Sequence, residues 1–417
     1  MRGTAAERGF ERIFAGPRRG PSERVREDAW RAFAERGLPT THDEDWRFTS
    51  LAALEGVDFA APQAGAIPAE RLAAARESVG PARLLVIVNG RLVDPSAESL
   101  ERALLEGRLA LGNVLDPKLA PFSALNTALL SGGAFVDVTT EEVESLPIHV
   151  VHWLDGGAPQ ALNPRVHVVV RAGASATLVE HFIGAPGTRS LSNSATELVV
   201  ERDARLRYVQ VQELPESAFH VSSLATHQEA GSRLELASIA LGGRLGRVEI
   251  SSTLSGEHAE LDANGLYLGR GSQHQDHHTT IDHASPRTTS RELFKGILDG
   301  RAHGVFHGRV HVRPDAQKID ASQTNRTLLL SDGAVIDSKP QLEIYADDVK
   351  CSHGASVGQL DPDQIFYLRA RGLELERARA LLSFGFASEL LAKLPLQALR
   401  ESLERTLLAW LPLGGAP

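Results

Sequence analysis

Cysteine is almost absent: the 417 residues contain one, Cys351. A single thiol excludes an intramolecular disulfide, a Cys-x-x-Cys redox pair, a four-cysteine zinc site and an iron–sulfur cluster held by four cysteines of this chain. Any metal chemistry at Cys351 has to recruit other residue types or another chain. Lysine is scarce too. None of the six (Lys118, Lys295, Lys318, Lys339, Lys350, Lys393) is followed by Ser or Thr, as a phosphate-cradling loop requires. Nucleotide energy would therefore come from a partner, with no nucleotide bound by this chain. Long apolar runs are missing: the longest, such as residues 84–88, are about five residues against the ~18 that span a bilayer. No Lys/Arg run offsets the net charge of 44 − 53 = −9, which disfavours nucleic acid and anionic membrane surfaces. Residues 1–20 are Arg-rich, but Glu7 and Glu11 and the lack of an apolar stretch argue against a secretory signal, leaving a cytoplasmic address as the expectation.

What is present is an ordinary globular balance, 42% hydrophobic and 23% charged, with a change of texture along the chain. Residues 1–133 read as mixed α/β. A helix is predicted over 22–36, stopped by Gly37-Leu38-Pro39, with short helices over 98–105 and 121–130, the last closed by Gly132-Gly133. Leu84-Leu85-Val86-Ile87-Val88, then Asn89-Gly90, then Arg91-Leu92-Val93 is a hairpin signal.

Residues 134–360 hold one short β-branched run after another, at 135–138, 148–153, 166–170, 176–182, 197–200, 206–211, 234–240 and 248–254, and again near Ile281 and at 305–312, 328–330, 342–345 and 348–353. Turns of a Gly or Asp before a small residue recur at Gly173-Ala174, Asp203-Ala204, Gly231-Ser232, Asp315-Ala316, Gly333-Ala334 and Gly354-Ala355. Spacings of roughly 20–30 residues fit the coils of a β-solenoid. A sandwich is the alternative, and the length of the all-β run favours the solenoid. Residues 361–417 read as helical, with Leu396, Leu399, Leu403, Leu407 and Trp410 forming one apolar stripe. The stripe packs either on a preceding helix or on a partner.

Two constellations can carry chemistry. Along an extended strand, Cys351 and His353 share a face about 7 Å apart, too far for one ion but suited to a polynuclear cluster or an interface. Lys350 beside the thiol would favour thiolate, against the plain alternative of a small buried hydrophobe. Eight of the sixteen histidines fall between His258 and His311: these two and His274, His277, His278, His283, His303 and His307. On a strand His303 and His307 stand about 13 Å apart. His274, Asp276, His277 and His278 make the better local metal candidate, with hydrogen-bonded histidines the expected outcome.

The stretch Asn325-Arg326-Thr327-Leu328-Leu329-Leu330-Ser331-Asp332, followed by Ile336 through Gly354 with its Asp347-Asp348-Val349-Lys350-Cys351-Ser352-His353, resembles the SufB/SufD family of iron–sulfur cluster assembly proteins. Glu44-Asp45-Trp46-Arg47-Phe48-Thr49, Gln273-His274-Gln275-Asp276-His277, Phe294-Lys295-Gly296 and Phe306-His307-Gly308 add to the match in family order. Gly354 after His353, where SufB has Glu, and the lack of further cysteines make the chain similar to the SufD branch. Ser356, where the family often has Thr, keeps the hydroxyl.

The resemblance implies a mainly β fold: a right-handed parallel β-helix core over 134–360, an N-terminal α/β region over 1–133 and a C-terminal helical domain over 361–417. It implies a non-catalytic scaffold that pairs with a SufB-like paralogue through the C-terminal end of the β-helix and holds a SufC-like ATPase by its C-terminal helices, with Leu396, Leu399, Leu403, Leu407 and Trp410 as candidate contacts. A transient iron–sulfur cluster would be shared with SufB at His353 and Cys351, supported by Lys350. Whether a reduced flavin binds the complex stays open. The rival readings are a polysaccharide lyase or hydrolase recruiting Asp276, Asp282, Asp347 and Asp348, and a purely structural partner with an inert Cys351.

Overall fold

The computed structural model describes residues 3–16, 22–94, 97–140 and 146–411. Part of the Arg-rich leader (1–2 and 17–20) and the end of the helical segment (412–417) lie outside the described residues. The centre is a parallel β-solenoid. From Pro164–Val170 onward, strands alternate between a ten-stranded and a nine-stranded sheet, each pairing with the strand two further along the chain. Ser175 thus lies beside Arg205, Arg205 beside Arg233, Arg233 beside Glu260, Glu260 beside Thr289, and Ile319 beside Val349.

Because every second residue faces inward, the fixed register stacks apolar side chains in columns. Leu178, Tyr208, Leu236 and Ala263 form one, with each member in register with the next and buried. Each buried leucine contributes roughly 1.5–3 kcal/mol. One corner of the solenoid is a ladder of left-handed residues, one per coil: Gly173 (φ +72°), Asp203 (+57°), Gly231 (+69°), His258 (+62°), Arg287 (+58°) and Lys318 (+61°). The N–H groups of Gly173, Asp203 and Gly231 each donate to the turn of the next coil at 2.9 Å. The residue after each is buried in the corner and is small after the first four, as at Ala174, Ala204 and Ala259, while Ile319 follows Lys318. Gly354-Ala355, expected as a turn, instead lies within the strand Val349–Gly358.

Helices cover both outer faces. The helices Ala5–Ala15, Glu23–Arg36 and Pro121–Ala128 bury Phe10, Phe33, Trp46, Phe122 and Leu125 against Leu191, Phe219 and Val221 of the nine-stranded sheet. The helices Leu375–Leu391 and Gln397–Trp410 pack on Val179, Val209, Val211, Ile239 and Leu268 of the ten-stranded sheet. The Asn89-Gly90 hairpin forms, with both turn residues at positive φ. Its first strand, Arg83–Val88, pairs in parallel with Ile148–Leu154, so the N-terminal region contributes to the solenoid sheet. Gly132 and Gly133 do not close a helix. They open the strand Gly132–Val138, where a Cβ on Gly133 would overlap the Arg165 carbonyl.

Candidate functional site

Cys351 and His353 lie on the last strand, Val349–Gly358, which is the edge of the ten-stranded sheet. Cys351 is in register with Ala321 and His353 with Gln323, so the two share a face, as their spacing requires. Along this strand burial collapses: Cys351 is half-buried against Ala321 and Ile319, while His353 is exposed, as is Val357 at 51%. The last strand of the other sheet, Val335–Ile344, is open in the same way, exposing Val335 and Ile344. Solenoids normally close such an end with a polar cap. Among the described residues no strand pairs with the outer side of either terminal strand.

The expectation that Lys350 favours thiolate is corrected. Successive residues of a strand point to opposite faces, so Lys350 turns away from the thiol. Burial pushes the Cys351 thiol up, the Ala321 backbone hydrogen bond works against that, and the charge of Asp320 adds to the rise. In the isolated chain Cys351 is therefore a thiol at neutral pH.

The C-terminal stripe belongs to the protein's own core. Leu399, Leu403 and Leu407 are buried, and Leu396 and Trp410 are partly buried in the same cluster. The most exposed apolar residues of this segment among the described residues are others: Phe366 (73%), Tyr367 (55%) and Leu381 (50%).

The histidine-rich strand His274–His283 is divided by alternation. His277 faces inward, 3.3 Å from the Ser238 hydroxyl and beside Tyr267 and Phe294. His274, Asp276 and His278 face outward, under the segment that contains the short 3-10 turn Glu44–Trp46. Thr49 Oγ1 donates to Asp276 Oδ2 at 2.6 Å and lies 2.9 Å from His274 Nε2. Arg247 pairs with Asp276 and lies with its guanidinium 3.8 Å from the Trp46 ring centroid, and Lys339 reaches Glu44 at 2.6 Å. The four-residue local candidate is thus not one site. What sequence reasoning missed is pairing between coils: His274 is in register with His303 and His278 with His307. The signal was in the numbering, since both pairs are one coil apart.

Of the four carboxylates recruited for a glycan-cleaving reading, two are committed to arginines. Asp276 is buried on Arg247, Asp282 pairs with Arg313 at 2.6 Å, and Asp348 is tied by its backbone to Lys318 and Gln317. Gly354-Ala355-Ser356-Val357-Gly358 spells a hydrolase elbow, yet it runs straight along a strand without the sharp strand-to-helix turn that the motif needs.

Comparison with known proteins agrees with this geometry. The model of the SufBD core domain of SUF-system iron–sulfur cluster assembly matches residues 152–386. The chain is 34% identical over 394 residues to an iron–sulfur cluster assembly SufBD family protein of Synechocystis, covering 88% of this chain and 86% of the relative. It is 32% identical over 398 residues to the iron–sulfur cluster assembly protein SufD of Escherichia coli, covering 91% and 90%. A Bacillus subtilis SufD is 29% identical, covering 67% and 64%. No helix among the described residues is long and apolar enough to cross a membrane. The matched region takes in the solenoid from its early coils through the strand that carries Cys351 and His353, and the chain belongs to the SufB/SufD family of iron–sulfur cluster assembly proteins.

Proposed function

We propose that the chain is a scaffold subunit of a SufBCD-type complex, with no catalysis of its own. It pairs through its last coil with a SufB-like paralogue and carries a SufC-like ATPase on its C-terminal helices. The observation that carries this reading is the open last coil. Two parallel edge strands with unpaired backbone groups are a template for further strands, and a second solenoid of the same fold supplies strands in matching geometry. One thiol and one imidazole cannot complete a cluster, whereas a partner chain seated on this edge adds ligands beside Cys351 and His353. The nascent cluster is cargo shared between the two chains. Iron or a partner cation placed beside the edge would offset that burial and convert the Cys351 thiol into the thiolate that iron and sulfide chemistry uses. Lys350, on the other face of the strand, would steer the partner rather than activate the thiol.

With the leucine stripe committed to the core, ATPase docking falls to the exposed side of the helices Pro362–Arg369 and Leu375–Leu391 at Phe366, Tyr367 and Leu381. Closure of two ATPases would pull on helices anchored along the solenoid flank, where Lys295 Nζ holds the Phe386 carbonyl at 2.8 Å, and so shear the shared interface.

The test is anaerobic reconstitution with cognate SufB-like and SufC-like subunits, read as visible absorbance and bound iron. His353→Ala is expected to lower the rate of cluster formation by about tenfold or more, as loss of a metal contact does. A wild-type rate, or a cluster assembled on the isolated chain, would overturn the shared-ligand role.

A further inference from the structure

We propose that Asp45, His278 and His307 form a site for one divalent first-row transition ion. It lies on the outer face of the nine-stranded sheet, beside the Glu44–Trp46 turn and on the other sheet from the Cys351–His353 edge. One donor atom from each residue lies within 4.8 Å of the other two, close enough for small side-chain rotations to bring all three onto a single ion. The solenoid register creates the pair: His278 and His307 are neighbours on adjacent strands, with ring centroids 4.8 Å apart and planes at 75°. Asp45 approaches from a separate part of the chain, its carboxylate 3.9 Å from His307 Nδ1.

His307 is 6% exposed and turns Nδ1, the nitrogen 3.9 Å from the Asp45 carboxylate, toward the site. His278 is backed by a carboxylate, its Nε2 lying 3.1 Å from Asp276 Oδ1. Asp276 is itself held by Thr49 and Arg247. A carboxylate behind an imidazole is how proteins orient and strengthen a histidine ligand.

Of the nearby cations, Arg247 pairs with Asp276 and Glu249 and lies 3.1 Å from His278 Nε2, Lys339 pairs with Glu44, and Arg309 stands between Glu343 at 3.6 Å and Asp45 at 3.9 Å, the one contact that an incoming ion would replace. Two imidazoles and one carboxylate select zinc, iron(II), cobalt(II) or nickel(II) over calcium and magnesium, which take all-oxygen sites. Three protein ligands leave a coordination position open on the side where Asp45 meets solvent.

The test uses the full chain and Zn(II), titrated against a chromophoric chelator, so it needs no partner and is separate from the scaffold reading. In a Cys351→Ser/His353→Ala background one Zn(II) per chain is expected to bind. Asp45→Ala and His307→Ala, each in that background, are expected to weaken it by about tenfold or more. Asp45 is exposed, so its replacement leaves folding intact, and far-UV circular dichroism checks the His307 variant. Co(II) in the site is expected to show ligand-field bands without thiolate charge transfer. The site is refuted if no Zn(II) binds, if binding vanishes with Cys351→Ser/His353→Ala, or if it is indifferent to Asp45→Ala.

Discussion

Glu292 points into the solenoid, in register with Gln323, whose side-chain amide donates to Oε2 at 2.8 Å while Oε1 has no partner. Burial pushes this carboxyl up to about 7, against the hydrogen bond from Gln323 and the nearby Thr279 hydroxyl. An unfolded Glu titrates near 4.3 or thereabouts. The stabilising contribution is therefore complete below that value and is lost as pH rises to about 7. Glu292→Gln keeps the shape without the charge, and is expected to be close to neutral at about pH 5 and stabilising at about pH 8. Urea unfolding at the two pH values measures this, and a difference independent of pH would refute it. His149 and His220, held down to about 3 chiefly by burial, act with the opposite sign: stability present above the unfolded value near 6.5 is lost as pH falls below it. The same alternation of faces explains what was readable residue by residue. It placed Cys351 and His353 together, and it also parts Lys350 from the thiol, a step that requires following the strand rather than counting neighbours.

The ladder of left-handed residues is the element that sets the coil. Glycine occupies two of its six rungs and Asp203 a third, while His258, Arg287 and Lys318 accept the conformation with a full side chain. A non-glycine residue there costs roughly 1–2 kcal/mol. His258 is exposed, so His258→Gly is expected to raise stability by up to about 1 kcal/mol after glycine's own entropy cost. A lower midpoint in urea would contradict the ladder. The glycine and aspartate rungs were legible in the sequence as turns; the three bulky rungs were not, because nothing in a His, Arg or Lys announces positive φ. Strands were lost for a related reason. Phe219–Gln228 and Glu260–Gly269 escaped detection because they carry buried polar residues and glycine in place of β-branched runs. Ser223 faces Ser123 of the overlying helix at 3.2 Å, and Gly265 leaves room for the Phe294 ring. Burial under another element, rather than propensity, makes them strands.

At the scale of the molecule the solenoid is quasi-one-dimensional, each coil supported by its two neighbours. The coil ending at Gly358 has one neighbour only among the described residues. Amide hydrogen exchange is expected to be slowest through the central strands Arg205–Gln212 and Arg233–Ala240, and fastest in Val335–Ile344 and Val349–Gly358. Addition of a SufB-like paralogue is expected to slow exchange in the last two strands by about tenfold or more. Uniform protection, or no response to the paralogue, would count against the open end as the pairing surface.

That open end also bears on how the protein is made. Synthesis runs from the N-terminus, and domains fold as they emerge, so the coils preceding the edge have already closed their interior when it leaves the ribosome. Among the coils this edge is therefore completed last, on a template already fixed in register. If this edge pairs with a paralogue as proposed, the interval in which it can mispair is the wait for that partner, and the relative supply of the two subunits becomes the quantity the cell has to balance.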